Sequence, residues 1–324
     1  TRNLRTSNRS IRPGPSIRSL IKTSDDDPRD SKQEKLLQDI ICRFKATSLS
    51  EKLCKDPPVR GNHGLADIML TLNAKPRIQR PFKLVGEREA AIAELIEEFI
   101  ARGWLEPSTA NWSSPAFVVP KPTPGQWRLV VDYRWLNECT IADAYPLPLV
   151  DDILNRQGQN RVSTVLDMKH GYHQMPLAPE ARPLTTMAIP GKTGLYQWKV
   201  MPMGVRNGNA QFQRMMEDVL KDYPYADVYV DDVIIGSTGA TEEEMLENHS
   251  KHVREVLLLF EKHKLVAKLS KTSFFCRSVE FCGQILEGGR RRPQPGKLDA
   301  VQRWEKPTTL TGIRGFLGVC NYYS

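Results

Sequence analysis

An apolar stripe at helical spacing runs through residues 87–102. Ile92, Ile96 and Phe99 fall on one face of this stretch, and Gly103 follows as a stop signal, so the pattern predicts an amphipathic helix. The same spacing returns twice downstream. These two stripes are Phe212, Met215, Met216, Val219 and Leu220, and then Met245, Val253, Val256, Leu257 and Phe260. We therefore expect three helices that each bury one face.

Strand-like runs lie between these helical stretches. AFVV at 116–119 and WRLVVDY at 127–133 flank a Pro-Gly turn and predict a β-hairpin. VSTVLD at 162–167 predicts a buried strand, and ADVYVDDVIIGS at 226–237 predicts two strands hinged at the central Asp pair. Because strands and helices interleave without a regular βαβ repeat, we predict an α+β fold with a mainly antiparallel sheet.

Length and composition narrow the class of protein. The chain has 324 residues, of which 40% are hydrophobic and 26% charged, enough for roughly two domains with buried cores. This composition excludes a wholly disordered chain, and no run approaches the ~18 consecutive apolar residues of a membrane helix. The net charge of +8 is compatible with a polyanionic partner. The six cysteines form no CxxC pair, which indicates reduced thiols in an intracellular protein.

Aspartates stand out at the ends of two predicted strands. Asp231 and Asp232 interrupt a Val- and Ile-rich run in which Asp is disfavoured, and Asp167 ends the strand over 162–167. An Asp pair at a hairpin turn is ordinary, but we expect one sheet edge to collect all three carboxylates. Two unit charges ~4 Å apart repel by about 4 kcal/mol at an effective dielectric near 20, so the cluster needs a shared proton or a cation. Hard oxygen ligands suit Mg²⁺, and two such ions can assist phosphoryl displacement.

Cationic residues and glycines supply candidates for a phosphate-binding side of this site. Lys121 and Arg128 lie on either side of the predicted hairpin turn, where both can face a triphosphate. Gly171 and Gly204 permit a close approach between backbone and substrate. Each residue alone is more often an ordinary surface or turn residue. Together with the carboxylates, the ordered series favours nucleotidyl transfer.

Two further groups of polar residues, a histidine pair and an arginine run, are expected at the surface of the protein. We expect His249 and His252 to lie on a helix and face water. The run Arg290–Arg292 either follows a nucleic-acid backbone or forms a solvated turn, and the sequence favours neither.

Nine motifs in one order resemble the reverse transcriptase of gypsy-like LTR retrotransposons over about residues 60–324. The motifs are WSSPAFVVPK (112–121), WRLVVDYRWLN (127–137), YPLPLVDDIL (145–154), LDMKHGYHQM (166–175), YQWKVMPMGVRN (196–207), FQRMM (212–216), YVDD (229–232), FCG (281–283) and FLGVCNYYS (316–324). The series is far more specific than YVDD alone. The resemblance implies a right-hand polymerase fold with fingers, an antiparallel palm sheet and a partial thumb.

Composition near the N-terminus and the resemblance over the rest divide the chain into five predicted regions. These are a disordered basic linker (1–36), an N-terminal extension with a lead-in helix (37–110), fingers and palm (111–236, with the fingers hairpin at 116–133 and the palm motifs at 162–236), palm completion with the primer grip (237–288), and a truncated thumb (289–324).

By position, the resemblance implies a catalytic centre with two Mg²⁺ ions, for which Mn²⁺ can substitute. Asp167 and Asp231 match residues that bind both metals, and Asp232 completes the acidic cluster. The Met168 carbonyl matches a further metal ligand. Lys271 resembles a lysine that protonates the departing pyrophosphate.

The resemblance likewise implies a nucleotide site. Lys121 and Arg128 match the fingers residues that hold the triphosphate, and Lys169 and His170 fall where backbone amides meet the phosphates. Tyr172 matches an aromatic gate that excludes a 2′-hydroxyl and so selects dNTPs. The loop under the template base and the primer grip are matched by Met203 and Gly204, and by Phe281, Cys282, Gly283 and Gln284.

The predicted function is RNA-directed DNA synthesis, the addition of dNTPs to a primer 3′-OH on an RNA or DNA template. The expected partners are an RNA template, a DNA primer–template duplex and dNTPs, with no membrane. We expect a parent retrotransposon polyprotein that carries RNase H and integrase, in a cytoplasmic particle or the nucleus. Two alternatives stay open. One is a catalytically weakened remnant that binds nucleic acid without polymerising, and the other is an RNA-dependent RNA polymerase, which Tyr172 disfavours.

Overall fold

The computed structural model describes residues 31–51, 64–191, 194–288, 290–294, 303–304 and 306–323. Its helices are α1 Ser31–Phe44, α2 Glu87–Ala101, α3 Arg134–Cys139, α4 Val150–Gln157, α5 Gly208–Leu220, α6 Glu242–Lys262 and α7 Leu310–Tyr323. Its strands are β1 Leu105–Ser108, β2 Ser114–Pro120, β3 Trp127–Val131, β4 Val162–Asp167, β5 Met187–Ala188, β6 Leu195–Trp198, β7 Ala226–Tyr229, β8 Asp232–Ser237, β9 Ser273–Cys276, β10 Ser278–Phe281, β11 Gln284–Glu287 and β12 Arg290–Pro293. The three predicted apolar stripes lie in α2, α5 and α6, which confirms those helix predictions.

The central sheet has the strand order β7-β8-β4-β9, with antiparallel neighbours. Side chains of β8 alternate between two apolar clusters, as the period of a strand requires. Val233 and Ile235 belong to the large core that includes α5 and α6, whereas Ile234 joins a smaller core with Val165 of β4 and Ile153 of α4. This two-sided burial fixes β4 and β8, and with them the residues at their ends.

A second sheet, in the order β1-β6-β5-β2-β3, contains the predicted fingers hairpin. β2 and β3 pair antiparallel from Ala116 opposite Val131 to Pro120 opposite Trp127. The hairpin predicted over 116–133 is therefore confirmed. Helix α2 packs against this sheet.

β10, β11 and β12 form a third, antiparallel sheet. The turn between β10 and β11 has two central residues, Cys282 and Gly283, with φ of 48° and 75°. Positive φ at both central positions characterises a type I′ hairpin turn. Phe281 and Gln284 pair across this turn, so the predicted primer-grip residues form one tight hairpin.

The N-terminal helix α1 begins at Ser31, so the predicted disordered linker is wrong for residues 31–36; residues 1–30 lie outside the described residues. A helix of this length would be marginal in water by itself. Its apolar face is buried against α6 and β9, and an ion pair joins Arg43 to Glu261 of α6 at 2.9 Å. The sequence did not show this packing partner, which lies about 200 residues further along the chain.

Helix α6 buries His249, so the expectation that it faces water is wrong. Its Nε2 lies 2.8 Å from Thr164 Oγ1 and its Nδ1 lies 2.9 Å from Ser237 Oγ. His252 is half-buried, with its Nδ1 2.8 Å from the same Ser237 Oγ and its ring stacked on Tyr225. Because hydroxyl groups satisfy both ring nitrogens of His249, a neutral imidazole is accommodated in the core.

Acidification is expected to destabilise this fold. Burial, with repulsion from His252, lowers the pKa of His249 to about 3, and burial also lowers the pKa of His173 to about 3. Both groups titrate near 6.5 in an unfolded chain. Their contribution to stability is therefore complete above about pH 6.5 and is lost as the pH falls towards 3, by at most about 1.4 kcal/mol per pH unit for each histidine.

Urea unfolding at pH 7 and pH 5.5 measures this loss. His249→Gln should show a smaller fall in the free energy of unfolding between the two pH values than the wild type. An unchanged fall in the His249 variant would contradict the prediction.

The remaining surface predictions concern charge. Arg291 donates to Asp151 at 2.5 Å and Arg292 donates to Glu287 at 3.4 Å, so these two arginines form ion pairs at the surface, on β12 rather than in a turn.

No helix within the described ranges combines the length and the apolar character that crossing a membrane requires.

Candidate active site

The ends of β4 and β8 bring the predicted carboxylates together. Asp167 is the last residue of β4 and lies directly opposite Asp232, the first residue of β8. Asp231 precedes Asp232 in the turn from β7, and its carbonyl accepts a hydrogen bond from the N–H of Met168 at 2.8 Å. The expectation that one sheet edge collects three carboxylates is confirmed, while their catalytic role stays a prediction.

Burial and mutual repulsion perturb this acidic cluster. Burial, followed by the charges of Asp232 and Asp167, raises the pKa of Asp231 to about 6. Burial and the charge of Asp167 also raise the pKa of Asp232. The positive charge of Lys271 opposes both of these pKa shifts. Its Nζ lies 2.8 Å from Asp167 Oδ2. The structure therefore places the predicted proton donor at the site, as the ion-pair partner of Asp167.

The donor set suits a hard divalent cation. All three groups are carboxylates, and Asp231 Oδ1 is buried without a hydrogen-bond partner, which is costly unless a ligand supplies one. Within the described part of the chain, no three His, Cys, Asp or Glu side chains converge closely enough to form a metal-binding group. The carboxylates repel one another, and Lys271 holds Asp167. Binding of an ion would therefore have to draw these carboxylates inward.

A buried glutamine that sequence reasoning missed holds the turn between β7 and β8. Val230 has a φ of 52° in this turn, an unusual value for a β-branched residue. Its N–H donates to Gln213 Oε1 at 2.6 Å, and Gln213 Nε2 donates to Val228 O at 2.9 Å. Gln213 is fully buried on α5, next to the apolar stripe of that helix. The only sequence signal for this role of Gln213 was its position as a polar residue beside the apolar face of a predicted helix.

Gly171 lies against the Asp231 carboxylate. A Cβ atom built at this position would overlap Asp231 Oδ1 and would come within 3.1 Å of the Phe212 ring. Glycine is therefore required here by the close approach of a catalytic candidate, which agrees with the predicted role of Gly171 as a point of close backbone approach.

The part of the chain that carries the acidic cluster matches a known protein family. Residues 119–286, just over half of the chain, match the family described as reverse transcriptase (RNA-dependent DNA polymerase). The chain belongs to this family. The matched range contains the three carboxylates and Tyr172, whereas α1 and α2 lie outside it.

The sequence relatives of the chain are longer proteins. The chain is 32% identical over 301 residues to the retrovirus-related Pol polyprotein from transposon gypsy of Drosophila melanogaster, an alignment that covers 91% of this chain and 28% of that polyprotein. The chain thus spans little more than a quarter of the length of this relative. The resemblance to gypsy-like reverse transcriptases is confirmed.

Solved structures share the fold. A foamy viral protease-reverse transcriptase in complex with double-stranded DNA superposes with a TM-score of 0.78 at 22% identity, covering 94% of this chain and 51% of that one. A second, in complex with an RNA/DNA hybrid, gives 0.73 at 20% identity, covering 94% and 39%. The predicted α+β polymerase fold is confirmed.

The amide of Lys169 has a partner within the chain, and its predicted contact with phosphate stays a prediction. The N–H of Lys169 donates to Val266 O at 3.0 Å, and its Nζ donates to the carbonyl of Glu51. The amide donor and one donor of the ammonium group are thus engaged within the chain. The N–H groups of His170 and Gly171 open a 3-10 helix, where helical geometry supplies no acceptor within the helix, so these two amides are better candidates.

Tyr172 lies between the acidic cluster and α5. Its hydroxyl donates to Asn209 Oδ1 at 2.6 Å, and its ring meets the Phe212 ring edge-on with centroids 5.8 Å apart. Burial and the charge of Asp231 raise the pKa of the phenol, which therefore stays protonated. These two contacts fix the ring beside the carboxylates, and its role as a gate for the sugar stays a prediction.

The hairpin of β2 and β3 carries the two predicted triphosphate contacts. Arg128 is exposed on β3, opposite Val119. Lys121 follows β2, and its charge contributes to the low pKa of His170, which burial lowers most, to about 4. Lys121 therefore lies near the turn that follows β4. The contacts of Lys121 and Arg128 with a triphosphate stay predictions.

Asn137 holds the loop predicted to lie under the template base. Its Nδ2 donates to Gly204 O at 2.8 Å, and its Oδ1 accepts from the N–H of Arg206 at 2.8 Å. Gly204 has a φ of 90°, a conformation that favours glycine. Met203 is exposed beside it. The backbone of the loop is thus fixed while Met203 remains accessible.

The turn between β10 and β11 lies next to the acidic cluster. Burial, with a contribution from the negative charge of Asp232, raises the pKa of Cys282 to about 12. Phe281 and Gln284 are buried behind this turn. The hairpin predicted as the primer grip is therefore close to the first residue of β8, and its contact with a primer stays a prediction.

Proposed function

We propose that the chain is an RNA-directed DNA polymerase that adds dNTPs to a primer 3′-OH on an RNA or DNA template. The observation that carries this proposal is the cluster of Asp167, Asp231 and Asp232 at one sheet edge, with the Tyr172 ring beside it. Keeping three like charges together costs free energy in the absence of a ligand. Perturbed carboxylates of this kind are typical of functional sites.

The chain's own groups divide the work of nucleotidyl transfer. Asp167 and Asp231, with the Met168 carbonyl, are the proposed ligands of two Mg²⁺ or Mn²⁺ ions, and Asp232 adds negative charge beside them. When bound at these residues, the ions would supply positive charge that stabilises the charge developing in an in-line displacement. Lys271 holds a proton 2.8 Å from Asp167 and is the proposed donor of that proton to the departing pyrophosphate.

The substrates would approach from three sides. Lys121 and Arg128 would hold the triphosphate, and the loop with Gly204 would lie under the template base. The β10–β11 hairpin would hold the primer end. The net charge of +8 favours a nucleic-acid partner, and the two foamy viral proteins named above were solved with double-stranded DNA and with an RNA/DNA hybrid. The parent would be a retrotransposon polyprotein with RNase H and integrase, in a cytoplasmic particle or the nucleus.

Primer extension on a primed RNA template, with dNTPs and Mg²⁺ or Mn²⁺, tests the proposal. Synthesis of DNA would support it. Salt-dependent binding of the template without extension would instead favour the non-polymerising remnant. Extension with rNTPs in preference to dNTPs would favour an RNA polymerase.

Gly171→Ala is expected to lower the rate of extension by about tenfold or more. The added methyl group would displace the Asp231 carboxylate, and a misplacement of ~1 Å at a reacting centre is costly. The melting temperature should also fall, because the methyl group would come within 3.1 Å of the fully buried Phe212 ring. Gly208→Ala is the matched control, since its Cβ would make ordinary contact with the Tyr172 ring at 3.7 Å. Equal rates for the two variants would contradict the proposed place of Asp231.

A further inference from the structure

A short segment outside the family match is built into the back of the acidic cluster. Leu49 forms a parallel bridge with Ala267, where Ala267 N–H donates to Ser48 O at 2.8 Å and Ser50 N–H donates to Ala267 O at 3.0 Å. Ala267 also bridges Met168 on its other side. Residues 48–50 thus pair with Ala267, which in turn pairs with Met168 in the turn that follows Asp167.

Glu51 ends this segment and contacts both turns that carry catalytic candidates. Its Oε1 accepts a hydrogen bond from the N–H of Ser270 at 2.8 Å. Its carbonyl accepts from Lys169 Nζ, which also lies 4.0 Å from its Oε2. Burial alone would raise the pKa of Glu51, but the hydrogen bond from Ser270 and the charges of Lys169 and Lys268 lower it below its usual value. The carboxylate is therefore ionised at neutral pH.

The contact with Ser270 reaches Asp167 through one further residue. Ser270 is the central residue of the 3-10 helix Leu269–Lys271, and Lys271 Nζ lies 2.8 Å from Asp167 Oδ2. The backbone of the same segment is tied to β4, because the N–H of Lys268 donates to Asp167 O at 2.8 Å. Glu51 thus anchors the turn from which Lys271 extends to the carboxylate.

We infer that Glu51 is a positioning residue that holds the turn from which Lys271 extends into the acidic cluster, an inference that rests on the polymerase function proposed above. The carboxylate is about half exposed, so its ion pair with Lys169 is worth little by itself. Its hydrogen bond to the Ser270 amide supplies the geometric restraint. The effect is therefore on the rate of the reaction more than on nucleotide binding.

Three variants of the full chain test this inference. Glu51→Ala should lower kcat for primer extension by about three- to tenfold with the KM for dNTP changed less than about twofold. Glu51→Gln should restore most of the rate, because its amide oxygen still accepts from the Ser270 N–H. Glu94→Ala, at an exposed position of α2, should match the wild type. In a Lys271→Met background the Glu51→Ala effect should vanish, whereas a general loss of stability would persist.

Hydrogen exchange of residues 266–272 supplies a readout that does not need activity. Exchange should be faster in Glu51→Ala than in Glu94→Ala. An active wild type with equal kcat for these two variants would overturn the inference, and so would equal exchange over 266–272. A wild type that makes no DNA would refute the proposed function. The exchange measurement would then test only whether Glu51 anchors residues 266–272.

Discussion

Asp231→Asn is expected to abolish DNA synthesis, with a loss of at least about 10³-fold in the rate of primer extension. The substitution keeps the shape of the side chain but removes the charge that would bind a divalent ion beside Asp167. Asp231 Oδ1 is buried and has no partner within the chain, so no contact of that atom other than a ligand contact is lost. Single-turnover primer extension measures the effect.

The same substitution is expected to stabilise the metal-free protein at neutral pH. The pKa of Asp231 is about 6 in the folded chain, raised mainly by burial, against a value near 3.9 when unfolded. Below about pH 4 the carboxyl group is protonated in both states and has no effect on stability. As the pH rises through 6, the carboxyl group ionises in the folded chain as well, and the buried charge lowers the free energy of unfolding. At pH 7.5 the buried charge therefore costs roughly 2–3 kcal/mol, which Asn would recover.

Urea unfolding in EDTA checks this second effect. The gain in the free energy of unfolding should be present at pH 7.5 and absent at pH 4. Asp222→Asn, at an exposed position between α5 and β7, is the matched control and should change neither synthesis nor stability. An active Asp231→Asn, or one less stable than the wild type at pH 7.5, would contradict the account.

Tyr172→Ala is expected to raise the use of ribonucleotides relative to deoxynucleotides by about 100-fold. The ring is held beside the acidic cluster by Asn209 and Phe212, so removing it opens the space that a 2′-hydroxyl would need. Discrimination by such a steric contact is worth about one to two orders of magnitude. The ratio of kcat/KM for rNTP and dNTP measures it.

Tyr172→Phe separates the ring from its hydroxyl. This variant keeps the edge-on contact with Phe212 and loses the hydrogen bond to Asn209. We expect it to retain the preference for dNTPs within a few-fold, because the ring supplies the steric contact. A Tyr172→Ala variant that rejects rNTPs as strongly as the wild type would show that the ring is not the gate.

Much of the fold and site followed from local patterns. The strand over 162–167 and the pair Asp231-Asp232 were identifiable because apolar runs of strand length ended in residues that strands disfavour. Antiparallel pairing then placed Asp167 opposite Asp232. The resemblance supplied the roles of Tyr172 and Lys271, which no local pattern carries.

The residues that were missed act through contacts that are distant in sequence. Gln213 reads as a helix residue, and only the turn after β7 shows that its amide holds Val230. His249 reads as a surface residue until β4 and β8 supply its hydroxyl partners. Glu51 lies in a segment taken for an extension, and its partner Ser270 is over 200 residues away. Propensity carries no information about such pairs, because each is created by the tertiary fold.

The most direct test of the acidic cluster is anomalous scattering from Mn²⁺ in crystals of the chain with a primer–template, a dNTP and a primer that lacks its 3′-OH. We expect Mn²⁺ between the carboxylates of Asp167 and Asp231, with Asp231 Oδ1 as a ligand and Asp167 released from Lys271. A ternary complex with bound dNTP but no Mn²⁺ at these two carboxylates, or with Asp167 still paired to Lys271, would contradict it.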